Sequence, residues 1–185
     1  MKKYLIGITL VLSGVLTITY GQSGSQTTGL KIVFIRHGEK PEKGNNLTCK
    51  GLNRSLQLPA LINKKFGVPD FVYVPTLKAG EKTGHSRMFE TVIPLCSKYN
   101  INIDSKFDEL DSSGIATDIM QKKGTVLVVW EHKALSSIMH SLGVIDTYQW
   151  PADDYDTIFI VTFTDGKATL TKDSEGLNPS DDCPN

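Results

Sequence analysis

Lys31 to Lys40 read KIVFIRHGEK, a run of strand-forming residues that passes directly into Arg36-His37-Gly38-Glu39. Val, Ile and Phe in close succession suit a strand buried on both faces, as in a parallel sheet, where the alternation of polar and apolar residues is lost. Open parallel sheets bind their ligands beyond the carboxyl ends of the strands. A buried strand that ends on a guanidinium, an imidazole and a glycine therefore points to a ligand crevice, and Gly38 lets the backbone turn and approach a bound group closely.

Outward from this stretch, short apolar runs alternate with longer amphipathic ones, the pattern of βαβ units. Strands are expected at Lys31–Arg36, Phe71–Pro75, Thr125–Trp130, Thr157–Thr164 and Ala168–Thr171, with a short one at Ile101–Ile103. Helical spacing covers Leu52–Phe66, Ser86–Tyr99, Gly114–Lys122 and Lys133–Leu142; in the second, Met88, Val92, Leu95, Cys96 and Tyr99 share one face. Pro59 and Pro94 fall inside two of these segments, where a kink or a fresh start is expected. Asp165-Gly166 between the last two strands is a hairpin signal, so the sheet should carry an antiparallel edge. The fold class is α/β, a three-layer αβα sandwich over residues 30–172, followed by a C-terminal tail at 173–185 that reads as loose from Leu177 to Asn185.

The second buried strand, TVLVVWEH, ends in Glu131-His132, so two strands deliver histidines to one rim. Arg87 opens the helix that follows FVYVP and brings a second guanidinium to the same edge, near amide groups with a positive dipole. Two arginines and two histidines around one crevice form a cradle for a tetrahedral dianion, because arginine forks donate paired, charge-assisted bonds to phosphate oxygens. A neutral imidazole in that cradle is a competent nucleophile, with its second nitrogen donating to a backbone carbonyl to fix the tautomer. Loops at Pro41–Lys50, Thr76–Gly84 and Tyr148–Tyr155 border the crevice and are where specificity is expected to lie.

RHGE after the first strand, SR..ET on a later helix and VLVVWEH at a later strand end together resemble branch 1 of the histidine phosphatase superfamily, the phosphoglycerate mutase-like proteins, over residues 31 to 142. The resemblance implies that His37 takes up the phosphoryl group, that Arg36, Arg87 and His132 bind it, and that water then releases it. NLTCKGLNRS resembles the family's approach to its first helix, with a structural role there; Arg54 in it reads as a surface group. FDELD is similar to the segment that carries the family's general acid, which implies Glu109, with Glu131 the alternative. The glycine and tryptophan that usually follow that segment are missing here, and a member without a good acid would favour leaving groups that need no proton, such as a phosphoramidate.

Of the other two histidines, His85 stands beside Ser86-Arg87 and can rim the pocket, while His140 reads as structural. Glu39 reads as a loop-orienting or solvent-facing group. Lys40, Lys78 and Lys82 read as solvated loop residues, and Trp130 as a packing residue.

The chain has 185 residues, 39% hydrophobic and 22% charged, enough for one buried core. Its 20 basic and 20 acidic residues give no basic footprint, so a nucleic-acid partner is not expected. Residues 1–22 place Lys2 and Lys3 before an apolar run from Tyr4 to Tyr20, the pattern of a secretory signal, with a polar linker at 23–29. The run is interrupted by Gly7 and Gly14 and is short for a bilayer core of about 30 Å, so cleavage is expected rather than anchoring, and the location secreted or periplasmic. Cys49, Cys96 and Cys183 allow one disulfide and one thiol there, the pairing open, with Cys96 on an apolar stripe. No CxxC or HxxxH spacing occurs, so neither metal nor other cofactor is expected. The expected activity is metal-independent hydrolysis of a small phosphoester. A mutase, a protein phosphohistidine phosphatase and a non-catalytic phosphate-binding member are the competing readings.

Overall fold

The computed structural model describes residues 29–78, 84–146 and 148–183. The signal segment and nearly all of the linker, as well as Lys82, lie outside the described residues. A six-stranded sheet forms the middle layer, built from β1 (Leu30–Arg36), β2 (Phe71–Tyr73), β3 (Ile103–Asp104), β4 (Gly124–Trp130), β5 (Thr157–Thr164) and β6 (Lys167–Ser174). Its order is β3-β2-β4-β1-β5-β6. The first four strands in that order run parallel, whereas β5 and β6 add an antiparallel edge.

The unbroken apolar runs of β1 and β4 are explained by two cores, one on each face. Leu30, Ile32, Phe34, Val126, Val128 and Trp130 face the cluster built with α3 (Ser112–Ile119) and α4 (His132–Ser141). Val33, Ile35, Leu127 and Val129 face the cluster built with α1 (Cys49–Phe66) and α2 (Ser86–Tyr99). The helix face expected from Met88, Val92, Leu95, Cys96 and Tyr99 is the one that packs there. Each helix runs unbroken through its proline, so neither Pro59 nor Pro94 starts a new helix. The β5–β6 hairpin turns at Asp165 and Gly166, both at positive φ (50° and 75°), as a tight primed turn requires.

Gly38 meets a different neighbour from the one expected. A Cβ on it would stand 3.0 Å from the carbonyl oxygen of Gly51, and a Cβ on Gly51 would stand 2.5 Å from that of Glu39. These two glycines let the loop after β1 lie directly on the first turn of α1. Thr48 caps that turn: its hydroxyl accepts from the Gly51 amide at 3.2 Å and donates to the Glu39 carbonyl at 3.2 Å.

The segment after the sheet is pinned, contrary to its reading as a loose tail. β6 continues to Ser174, Glu175 is buried, and Cys183 is disulfide-bonded to Cys49 at the start of α1. The Asn53 side-chain amide donates to the carbonyls of Ser180 (2.9 Å) and Asp182 (2.6 Å). Cys96 is the free thiol, buried in the core, and burial pushes it up to about 11, where it is inert as a nucleophile. No described helix is long and apolar enough to cross a membrane.

Arg54 is a core residue and not a surface group, because it joins this tail to the loop after β1. Its guanidinium donates to both carboxylate oxygens of Glu39, at 3.0 and 2.7 Å, and to Glu175. Burial pushes the Glu175 carboxyl up from its ordinary 4.5 to about 8, against the pull of Arg54, which is already committed to Glu39. Between those values the folded chain binds a proton that the unfolded chain does not, so this contribution to stability is full below pH 4.5 and is lost as pH rises to about 8. The expected result is a melting temperature that falls from pH 5 to 8 more steeply in the parent than in Glu175→Gln, and thermal scans of both proteins at matched pH check it.

Candidate active site

β1 and β4 are adjacent parallel strands in register, with Arg36 opposite Trp130, so the residues after each strand end at one rim. The His37 amide donates to the Trp130 carbonyl at 3.3 Å. The Gly38 amide donates to the Thr91 hydroxyl at 2.9 Å, and that hydroxyl donates to the Arg87 carbonyl at 2.6 Å. Thr91 thereby ties the loop of His37 to the first turn of α2. Glu90 holds the same loop further on, accepting from the Leu47 amide at 2.8 Å. The SR..ET stretch thus contributes one guanidinium and two clamps.

His37 is fully buried. Its Nδ1 lies 2.7 Å from the Gly38 carbonyl oxygen, an acceptor only, so Nδ1 carries the ring hydrogen and Nε2 keeps its lone pair. Burial, and then the charges of Arg87, Arg36 and His132, bring the ring down to about 3 despite the Gly38 hydrogen bond. The imidazole is neutral at physiological pH. Arg87, Arg36 and His132 are thus close enough to His37 for their charges to act on its ring.

Five buried side-chain polar atoms lack a hydrogen-bond partner among the described residues. Four of them are Arg36 Nε, His37 Nε2, Arg87 Nε and His132 Nδ1; the other is Glu175 Oε1. Buried polar groups are nearly always paired, and each one left alone costs about 1–3 kcal/mol. Four of the five fall on the residues that the sequence groups around one crevice.

The guanidinium of Arg36 is fixed by the loop at 148–155, which does more than border the crevice. Nη1 donates to the carbonyls of Ala152 (2.6 Å), Asp154 (3.3 Å) and Pro151 (3.4 Å). Nη2 donates to the Tyr155 hydroxyl at 3.3 Å, and the guanidinium carbon sits 3.9 Å from the centre of that ring. Tyr155 also stands edge-on to His37, with centroids 6.1 Å apart. No local pattern in QWPADDYD distinguishes Tyr155 from an ordinary loop aromatic.

His132 is the first residue of α4, with Glu131 as N-cap. Burial and the charges of Arg36, Lys133 and Lys40 lower its pKa, which Glu131 opposes. Glu131 accepts from the Lys133 amide at 2.6 Å and places its other oxygen 2.6 Å from His132 Nδ1, close in distance but not hydrogen-bonded to it. A cleft of about 400 Å3 opens beside His132, lined also by Lys133, Ser136, Gln149 and Trp150. A larger hollow of about 780 Å3 runs along edge strand β3 and contains none of the cradle residues.

Glu109 lies at the same end of the sheet: the indole of Trp130 donates to its carbonyl at 2.9 Å, and its carboxylate meets His85. His85 is buried as the residue preceding α2. Trp130 packs, as expected, and in addition anchors Glu109. Glu39 orients the loop through Arg54, whereas His140 is exposed on the last turn of α4.

No protein-family model and no curated protein matches the chain. Among solved structures, the protein histidine phosphatase SixA in complex with tungstate superposes with a TM-score of 0.58 at 17% identity, covering 78% of this chain and 97% of that one. A phosphoserine phosphatase variant from Entamoeba histolytica, in complex with phosphoserine, gives 0.56 at 13% identity over 80% and 97% of the two chains. The phosphoglycerate mutase of Plasmodium falciparum gives 0.54 at 11% identity over 84% and 97%. The fold is that of the histidine phosphatases. In this histidine phosphatase fold, the rim bearing His37, Arg87 and His132 lies at the carboxyl ends of β1 and β4, where an α/β sheet places its ligand.

Proposed function

We propose that the protein is an extracytoplasmic phosphatase that hydrolyses a small phosphoester through a phosphohistidine on His37, without a metal. The observation that carries this reading is the set of four unpartnered buried atoms on Arg36, His37, Arg87 and His132. A phosphoryl group would accept from the guanidinium nitrogens while Nε2 of the neutral His37 attacks phosphorus. Charge spread over the three equatorial oxygens of the transition state is what two arginines and an imidazole N–H stabilise. Fold relatives hold tungstate and phosphoserine, ligands with tetrahedral oxyanions of the same shape.

Glu109 is the better candidate for the general acid. Glu131 spends one oxygen on the Lys133 amide and faces His132 with the other, whereas the Glu109 side chain remains 22% exposed. Export is supported by the charged and apolar leader in the sequence and by a disulfide that suits an oxidising compartment. The test is to quench the enzyme during turnover of a labelled phosphoester. A phosphoenzyme that is stable in base and labile in acid is expected. Phosphate release with no such label would overturn the reading, and tight phosphate binding with neither release nor label would make the protein a binding member of the fold.

A further inference from the structure

We propose that Tyr155 is a positioning residue for phosphate binding: with the carbonyls of the loop before it, it holds the Arg36 guanidinium so that the Nε side is what remains for a phosphoryl oxygen. This rests on the oxyanion-binding part of the phosphatase reading above, and not on turnover. A guanidinium carries five N–H donors, two on each Nη and one on Nε. Nη1 of Arg36 meets three carbonyl oxygens, those of Ala152 at 2.6 Å, Asp154 at 3.3 Å and Pro151 at 3.4 Å, which is more acceptors than it has hydrogens. Nη2 donates to the Tyr155 hydroxyl at 3.3 Å. Nε is buried and has no partner among the described residues. The donors left over are therefore Nε–H and one hydrogen of Nη2.

Tyr155 holds Arg36 by stacking as well as by its hydroxyl. The guanidinium carbon lies 3.9 Å from the centre of the phenol ring, within the range of a cation on an aromatic face. The same ring stands edge-on to His37, with centroids 6.1 Å apart, so one aromatic side chain borders both the guanidinium and the imidazole. The loop is itself tied to the sheet. The Asp154 carboxylate accepts from the amides of Asp156 and Thr157, each at 3.0 Å, and the Trp150 indole donates to the Asp154 carbonyl at 2.9 Å. Trp150 packs edge-on to Phe159 of β5, the strand that pairs with β1.

None of the groups bonded to Arg36 is a carboxylate, unlike those of Arg54, whose guanidinium is committed to Glu39 and Glu175. Such a clamp fixes the side chain while leaving its charge for an anion, and a guanidinium ordered in advance loses less freedom when the anion binds. Among the described residues, Tyr155 is the one side chain hydrogen-bonded to Arg36, the other acceptors being backbone carbonyls. It is thus the part of the clamp that a substitution can remove.

The test is a double-variant cycle read by isothermal titration of inorganic phosphate. Tyr155→Leu and Tyr155→Phe are each measured in the parent and in Arg36→Lys, which keeps a cation but has neither a planar fork nor an Nε–H. In the parent, Tyr155→Leu should weaken phosphate binding about tenfold, and Tyr155→Phe, which keeps the ring, about threefold. In Arg36→Lys the same substitutions should cost less than about twofold, because the group that Tyr155 orients is gone. A merely structural tyrosine would weaken binding by the same factor in both backgrounds. That result, or a Tyr155→Leu protein that binds phosphate as tightly as the parent, would overturn the proposal, and if the parent still forms a phosphohistidine it rejects the clamp alone. A parent that binds no phosphate would overturn the clamp and the phosphatase reading together. The expected coupling in a parent that forms no phosphohistidine would reject the phosphatase reading and keep the clamp.

Discussion

His37→Ala is expected to lower turnover of p-nitrophenyl phosphate by about 10⁴- to 10⁶-fold, the scale on which removal of a covalent nucleophile acts. The ring is fully buried, held by the Gly38 carbonyl, and kept neutral by burial and by Arg87, Arg36 and His132. Those features leave Nε2 with a free lone pair, and no other described histidine has a buried, unpartnered Nε2 whose Nδ1 is satisfied by a carbonyl. Alanine leaves the guanidinium groups in place, so phosphate affinity should be kept or improved through relief of crowding while hydrolysis disappears. Steady-state rates with isothermal titration of phosphate on the same purified variant separate the two effects. Turnover within tenfold of the parent would show that the chemistry runs through another group.

Much of this site is legible in the sequence because its parts are set locally. Val33, Ile35, Leu127 and Val129 face one core while Ile32, Phe34, Val126 and Val128 face the other, so β1 and β4 have to be apolar throughout and stand out as central strands. Once those two strands are placed, His37 and His132 fall at the same sheet edge, and Arg87 follows from the helix that succeeds β2. β6 runs longer than its sequence suggests because Lys172, Asp173 and Ser174 lie on an exposed edge, where no apolar alternation marks the strand's end.

What escapes the sequence is what depends on distant pairs. Arg54 reads as a surface residue until Glu39 and Glu175, 15 and 121 positions away, are brought to it. Cys49 and Cys183 are separated by 134 residues and nothing local selects between them and Cys96. Tyr155 becomes part of the site only because the loop carrying it takes up Nη1 of Arg36, and Gly38 suggests close approach to a ligand although its immediate neighbour is Gly51. Charge and size can be read from a residue, but a partner on another element requires the packed fold.

Arg54→Ala should cost about 3 kcal/mol of stability at pH 8 and less at pH 5. The guanidinium is the shared partner of two carboxylates, one of them fully enclosed, and alanine removes every bond to both while leaving a void the size of the side chain. Glu175 has a ready escape at low pH, because burial already favours its protonated form; at pH 8 that proton must be taken from a scarcer pool, so the penalty grows with pH. The damage should also reach the site, since Glu39 follows Gly38 directly and only Thr48 would still hold its carbonyl. Turnover should therefore fall, though far less than in His37→Ala. The double variant Arg54→Met, Glu175→Leu fills the same space without charge and should recover part of the loss, because an apolar replacement avoids the desolvation that the ion pair must offset. Denaturant titrations of the three proteins at the two pH values decide it. A single variant as stable as the parent at pH 8 would mean that the tail and the loop of His37 are held by the disulfide and the backbone alone.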